Sequence, residues 1–246
     1  MPDRSESIDR ITGAVGESRH HDSALKHVTG AADYIDDIPL PADALHLAVG
    51  GSTAAAGKIT GINLDAVRTA PGVIAVLTAS DIPGANDVSA LDVGDDPILA
   101  EERVRFYGEA VFAVLALSYR EARAAVRLAH ISIAVEAPRV TVDDALKAGD
   151  EISDRQEMTR GDWRHALAHA PHVTNGVLRI GGQDHFYLEG QASLALPMED
   201  GDVHIFCSTQ HPTEVQLATA RVLGCPANAV TVEVRRMGGG FGGKET

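Results

Sequence analysis

The chain holds 246 residues, 44% of them hydrophobic, which is enough apolar material for one large domain or two ordinary ones with a proper core. Acidic residues outnumber basic ones 35 to 21, a net charge of −14, and such a surface repels nucleic acid and anionic membranes, which are recognised through Lys and Arg. The two cysteines, Cys207 and Cys225, have no Cys-x-x-Cys spacing; they exclude an iron–sulfur cluster or zinc ribbon held by this chain alone and read as small buried hydrophobes.

The chain opens on "MPDRSESIDRITG", polar and acidic and unlike a secretory signal, and residues 1–20 carry no periodicity, so they read as an arm. Gly30, Pro39 and Pro41 then punctuate the sequence and argue against helix around them. Strands are expected over residues 45–52 and 73–78, with turn-rich sequence between them, and "RVRFYGEAVFAVLAL" predicts two strands bent at Tyr107 and Gly108. The longest apolar run, residues 110–117, is too short to cross a bilayer, and a cytoplasmic protein is expected. Ala122, Ala125, Val126 and Ala129 fall at helical spacing behind Ser118, a fitting N-cap, and a β-branched strand follows over 131–136. Short strands, few helices and no regular alternation make residues 21–136 an α+β unit.

Residues 137–160 carry Pro138, Gly149, many charges and no long apolar face, and read as a connection. From residue 161 a second unit begins. Gly161 and Asp162 cap a short helix, and a longer strand region is expected over 173–197. A strand over 203–208 then leads into a helix from Pro212 to Leu223, stopped by Gly224, and a last strand sets Val230, Val232 and Val234 on one face.

That strand runs into "RRMGGGFGGKET", residues 235–246. Gly238, Gly240 and Gly243 satisfy G-x-G-x-x-G, but a dinucleotide loop also needs a following helix and an acidic residue about 20 positions on. The near-match to G-x-x-x-x-G-K-[ST] places Glu245 where the magnesium-holding hydroxyl belongs, and a carboxylate there repels phosphate. What remains is the physical use of glycine: backbone can approach a ligand closely and adopt positive φ, turning Phe241 toward whatever the loop touches. Glu245 supplies an acceptor, or a proton if burial raises its pKa.

Four stretches together resemble the molybdenum hydroxylases, the xanthine dehydrogenase and aldehyde oxidase family: "RRMGGGFGGKET", "GGQDHFYLEGQ", "STQHPTEVQ" and "HDSALKHVTGAADYIDDIP". The last is similar to the opening of a bacterial xanthine dehydrogenase large subunit. The resemblance implies an α+β hammerhead domain over 21–136, then the first part of a molybdopterin-binding domain over 161–246. It implies a molybdenum ion carried on a pterin dithiolene, with no protein side chain needed as a metal ligand. Gln210 would donate a hydrogen bond to the metal's oxo group, backbone at Gly239 and Gly240 would press on the pterin, and Phe241 would line the metal's surround. Glu245 matches the carboxylate that grips the purine in xanthine-oxidising members; aldehyde-oxidising relatives tend to be apolar there.

The implied reaction converts hypoxanthine and xanthine to urate with oxygen taken from water. Electrons pass through [2Fe-2S] centres and FAD to NAD on a small partner subunit, in a heterotetramer. The family's catalytic glutamate is expected beyond residue 246, so these residues contain no catalytic group and the chain alone is expected to be inactive. An aldehyde oxidase, another aza-heterocycle hydroxylase and a non-catalytic scaffold module remain as alternatives. His165 and His169, four apart on a predicted helix, lack a third ligand and read as surface residues. His185 reads as structural or as a hydrogen-bonding group near the pterin, and Glu189 as structural. Asp36 and Asp37, ahead of Pro39, read as a turn.

Overall fold

The computed structural model describes residues 15–89 and 94–245; residues 1–14 of the expected arm lie outside this range, and 15–20 form a turn and irregular chain. Helix α1 (Ala24–Thr29) ends at Gly30, whose φ of 72° lets its N–H reach back to the last carbonyls. Gly30 therefore terminates a short helix where the punctuation predicted none. A 3₁₀ turn follows at Ile35–Asp37, with Asp37 accepting the Tyr34 N–H at 2.9 Å, which is the turn expected of Asp36 and Asp37.

The first unit contains β1 (His46–Gly51), β2 (Gly57–Asn63), α2 (Asp65–Arg68), β3 (Val73–Thr78), β4 (Arg103–Val104), β5 (Ala110–Ala116), α3 (Tyr119–Val126) and β6 (His130–Val135). Antiparallel β5 lies between β1 and β3, and β2 lies between β4 and β6. The apolar run of β5 is explained by that central place: Val111, Phe112, Val114 and Ala116 are all buried. Helix α3 packs there through Ala122 and Ala125, small residues that allow close approach. Its N-cap is Ser118, as the spacing predicts, with the hydroxyl accepting the Glu121 N–H at 3.2 Å. Strand β2 falls in sequence that reads as turn. Its two glycines and a register shift between Ile59 and Gly61 obscure the period-2 pattern.

The connection contains α4 (Val142–Ala148), missed because none of its residues is buried and no apolar face marks it. Helix α5 (Trp163–Ala168) follows, with Asp162 accepting the His165 N–H at 3.0 Å. The long strand expected over 173–197 is corrected to β7 (Ser193–Pro197) alone. Val177, Leu178 and Ile180 are exposed, and among the described residues no strand pairs their backbone. Strand β8 (Val203–Cys207) pairs antiparallel with β7 and parallel with β9 (Val230–Glu233), and α6 (Pro212–Leu223) makes the crossover, begun by Pro212 and stopped at Gly224. Ile205, Ala220 and Val230 form this second core.

The two units meet at the end of α6, and again where Arg236 donates to the Asp33 carbonyl at 2.6 Å. The last-turn carbonyls of Val222 and Arg221 accept N–H groups from Gly84 (2.8 Å) and Ala85 (3.1 Å) of the first unit. Arg221 also bonds the Asp87 carboxylate at 3.0 Å. No helix among the described residues is long and apolar enough to cross a membrane.

Candidate functional site

Because β8 and β9 run parallel, their C-terminal ends leave the sheet on one edge. Ser208, Thr209 and Gln210 leave from β8 and the glycine loop from β9, so two segments distant in sequence come together. The Gln210 N–H donates to the Lys244 carbonyl at 2.7 Å, and the Thr209 hydroxyl to the same oxygen at 3.2 Å. The Gln210 Oε1 accepts the N–H groups of Gly242 (2.8 Å) and Lys244 (3.2 Å). A backbone N–H can only donate, so this pair of bonds fixes the amide with oxygen against the loop and Nε2 outward. Nε2 in turn donates to Glu245 Oε2 at 3.2 Å. Gln210 and Glu245, chosen separately in the sequence, are thus neighbours.

The loop turns on a Gly243 N–H to Gly240 carbonyl bond of 2.7 Å, with positive φ at Gly239 (100°), Phe241 (54°) and Gly242 (94°). Two of these are glycine, as the conformation requires; Phe241 is not, and its backbone sits in a region side chains seldom adopt. Its ring is 76% exposed. Gly240 is required for space as well: a Cβ there would stand 2.4 Å from Gln210 Oε1. Among the described residues nothing accepts the N–H groups of Gly239, Gly240 or Phe241.

Beneath the loop lies a group the sequence reading missed. Lys244 is buried, with Nζ 3.4 Å from Glu189 Oε2, 3.2 Å from Ser208 Oγ and 4.6 Å from the centre of the Tyr187 ring. Glu189 Oε2 also accepts the Gly238 N–H at 2.7 Å, and the Gly238 carbonyl accepts the Glu189 N–H at 3.2 Å. Glu189 is structural, as expected, but its partner is a cation 55 positions away, which no local pattern discloses. Burial pushes the thiol of Cys207, just before Ser208, above its ordinary pKa. His185 is exposed and lies beside the loop, since a Cβ on Gly243 would come within 2.8 Å of its ring. His165 and His169 are exposed on and just after α5, their rings stacked 4.0 Å apart.

Residues 29–136 match the family model of the aldehyde oxidase and xanthine dehydrogenase a/b hammerhead domain, and residues 147–246 match that of the molybdopterin cofactor-binding domain. The chain belongs to the molybdenum hydroxylase family. Over 237 residues it is 37% identical to the xanthine dehydrogenase/oxidase of Gallus gallus, covering 96% of this chain and 17% of that protein. Aldehyde oxidase 4 of Cavia porcellus is also 37% identical, over 94% of this chain and 17% of its own length. The chain therefore spans about a sixth of these relatives. Among solved structures, the aldehyde oxidoreductase of Desulfovibrio gigas superposes with a TM-score of 0.80 at 26% identity, over 91% of this chain and 27% of that one. The quinoline 2-oxidoreductase of Pseudomonas putida 86 shares the fold, with a TM-score of 0.77 at 24% identity over 91% of this chain and 30% of its own.

The molybdopterin cofactor fits what the loop presents. Three successive backbone N–H groups have no acceptor among the described residues, and the glycines there project no side chain, so an electronegative group can lie against main chain.

Proposed function

We propose that this chain supplies the hammerhead unit and the first cofactor-facing segment of the large subunit of a xanthine dehydrogenase acting on hypoxanthine and xanthine. The observation that carries the purine assignment is the Glu245 carboxylate, exposed at the loop's end and oriented by Gln210 Nε2 at 3.2 Å. An ionised carboxylate is acceptor-only, so it suits the N–H edge of a purine and offers nothing to the alkyl tail of an aldehyde. Gly239 and Gly240 would hold the cofactor by main chain, with Gln210 and Phe241 flanking it. When bound, the cofactor supplies the two-electron chemistry by which a ring C–H becomes C–OH with oxygen from water. Electrons would leave through [2Fe-2S] and FAD on a small partner subunit to NAD. On the family resemblance, the base that starts the reaction lies outside these residues, so the 246-residue chain alone would bind without turnover.

An aldehyde-oxidising role is the second reading, since curated relatives of both activities stand at the same 37% identity. Steady-state assays of the cofactor-loaded enzyme, unmodified and Glu245→Gln, separate the two. The purine reading expects xanthine to be preferred, and Glu245→Gln to lower kcat/KM for xanthine by about 10- to 100-fold, the worth of one hydrogen bond to a charged group. Oxidation of aldehydes with xanthine left untouched would reject it.

A further inference from the structure

The pair beneath the loop has no part in the chemistry above, yet it joins more of the site than any residue that does. Glu189 Oε2 takes the N–H of Gly238, where the loop begins, and the ammonium of Lys244, where it ends. Its other oxygen, Oε1, lies 3.5 Å from the N–H of Ile35, on the turn before β1. Lys244 adds the Ser208 hydroxyl, and that hydroxyl donates to the Gly190 carbonyl at 3.2 Å. The side chain of Lys244 is 1% exposed and that of Glu189 is 9% exposed. The loop is thus stapled at both ends to one buried carboxylate. The stretch between, Gly239 to Phe241, is the part whose N–H groups have no acceptor among the described residues.

Removing one partner of a buried pair leaves the other charge uncompensated, so such a pair is costly to disturb. We infer that Glu189 and Lys244 are positioning residues that hold the glycine loop in its cofactor-receiving shape. This rests on the reading that the loop receives the molybdopterin. Neither residue touches the reacting atoms. They act through the backbone, in the way that groups behind a metal's ligands tune affinity without binding the metal.

The test uses Glu189→Gln, which keeps the shape and an acceptor but removes the charge, and Lys244→Met, singly and together, in the enzyme purified with its bound cofactor. Two readouts are taken besides activity: hydrogen exchange resolved over residues 238–245 against 203–207, and molybdenum and pterin retained after dialysis. Each single variant is expected to speed exchange over the loop while leaving β8 protected, and to lower retained cofactor about 10-fold or more. The double variant should lose little beyond either single one, because both remove one interaction. Should Lys244→Met fail to fold, Glu189→Gln carries the same exchange measurement alone. Exchange over 238–245 equal to the unmodified protein, or full cofactor retention in both variants, overturns the positioning role by itself. Lack of molybdenum and pterin in the unmodified enzyme overturns the underlying cofactor reading, and the exchange comparison still decides whether the pair shapes the loop.

Discussion

Two neighbours in sequence show how environment divides residues of one motif. Lys244 is buried on Glu189 and the Tyr187 ring; Glu245, the next residue, is exposed and bonded to Gln210. Cys207 illustrates the same control. Its thiol is pushed up by burial first, against the opposing pull of the Lys244 charge. A raised thiol pKa means a smaller thiolate fraction at any pH below it, and the thiolate is the nucleophile. Iodoacetamide at pH 8 is therefore expected to alkylate Cys207 several-fold more slowly in the native protein than in urea, as read by mass spectrometry of the modified peptide. Equal rates in the two states would contradict the burial argument.

At the scale of elements, legibility followed local chemistry. Helix α3 was readable because Ser118 caps it and Ala122 and Ala125 recur at helical spacing on the face that packs. Ser118→Ala removes the acceptor for the Glu121 N–H and is expected to cost about 1 kcal/mol, measured by urea unfolding. An unchanged midpoint would show that the cap is idle. Strand β5 was readable as an apolar run because its side chains are buried in the first core, against α3 among others. The expectation failed over residues 173–192, which no strand pairs among the described residues. Strand propensity describes a fit to a pleated surface, and without that surface it decides nothing.

Among the described residues the molecule has two cores, and the contact between them at the end of α6 has its own electrostatics. Asp87 is held below its ordinary 3.8, first by the Ser89 hydroxyl, with Arg221 adding to the effect. A carboxyl depressed on folding stabilises fully above its unfolded pKa, and that contribution is lost as pH falls through the folded one. The contribution of Asp87 to the joint should therefore be present above its ordinary 3.8 and be lost as pH falls below it. The joint also depends on Gly84, where a Cβ would lie 2.1 Å from the Arg221 carbonyl oxygen. Gly84→Ala is expected to uncouple the cores, giving separate denaturant midpoints for probes placed in each, and a single shared transition in that variant would argue against the joint.

Local composition and spacing by themselves determined the α+β class, the capped helices α3, α5 and α6, and the glycine loop's need for positive φ. These follow from backbone preference and side-chain periodicity, which act over a few residues. Tertiary structure alone decided that Gln210 orients Glu245, that Glu189 and Lys244 staple the loop from below, and that Gly84 closes α6. Each of those joins groups 35 or more positions apart, and only the parallel pairing of β8 with β9 and the docking of the two units bring them within hydrogen-bonding reach.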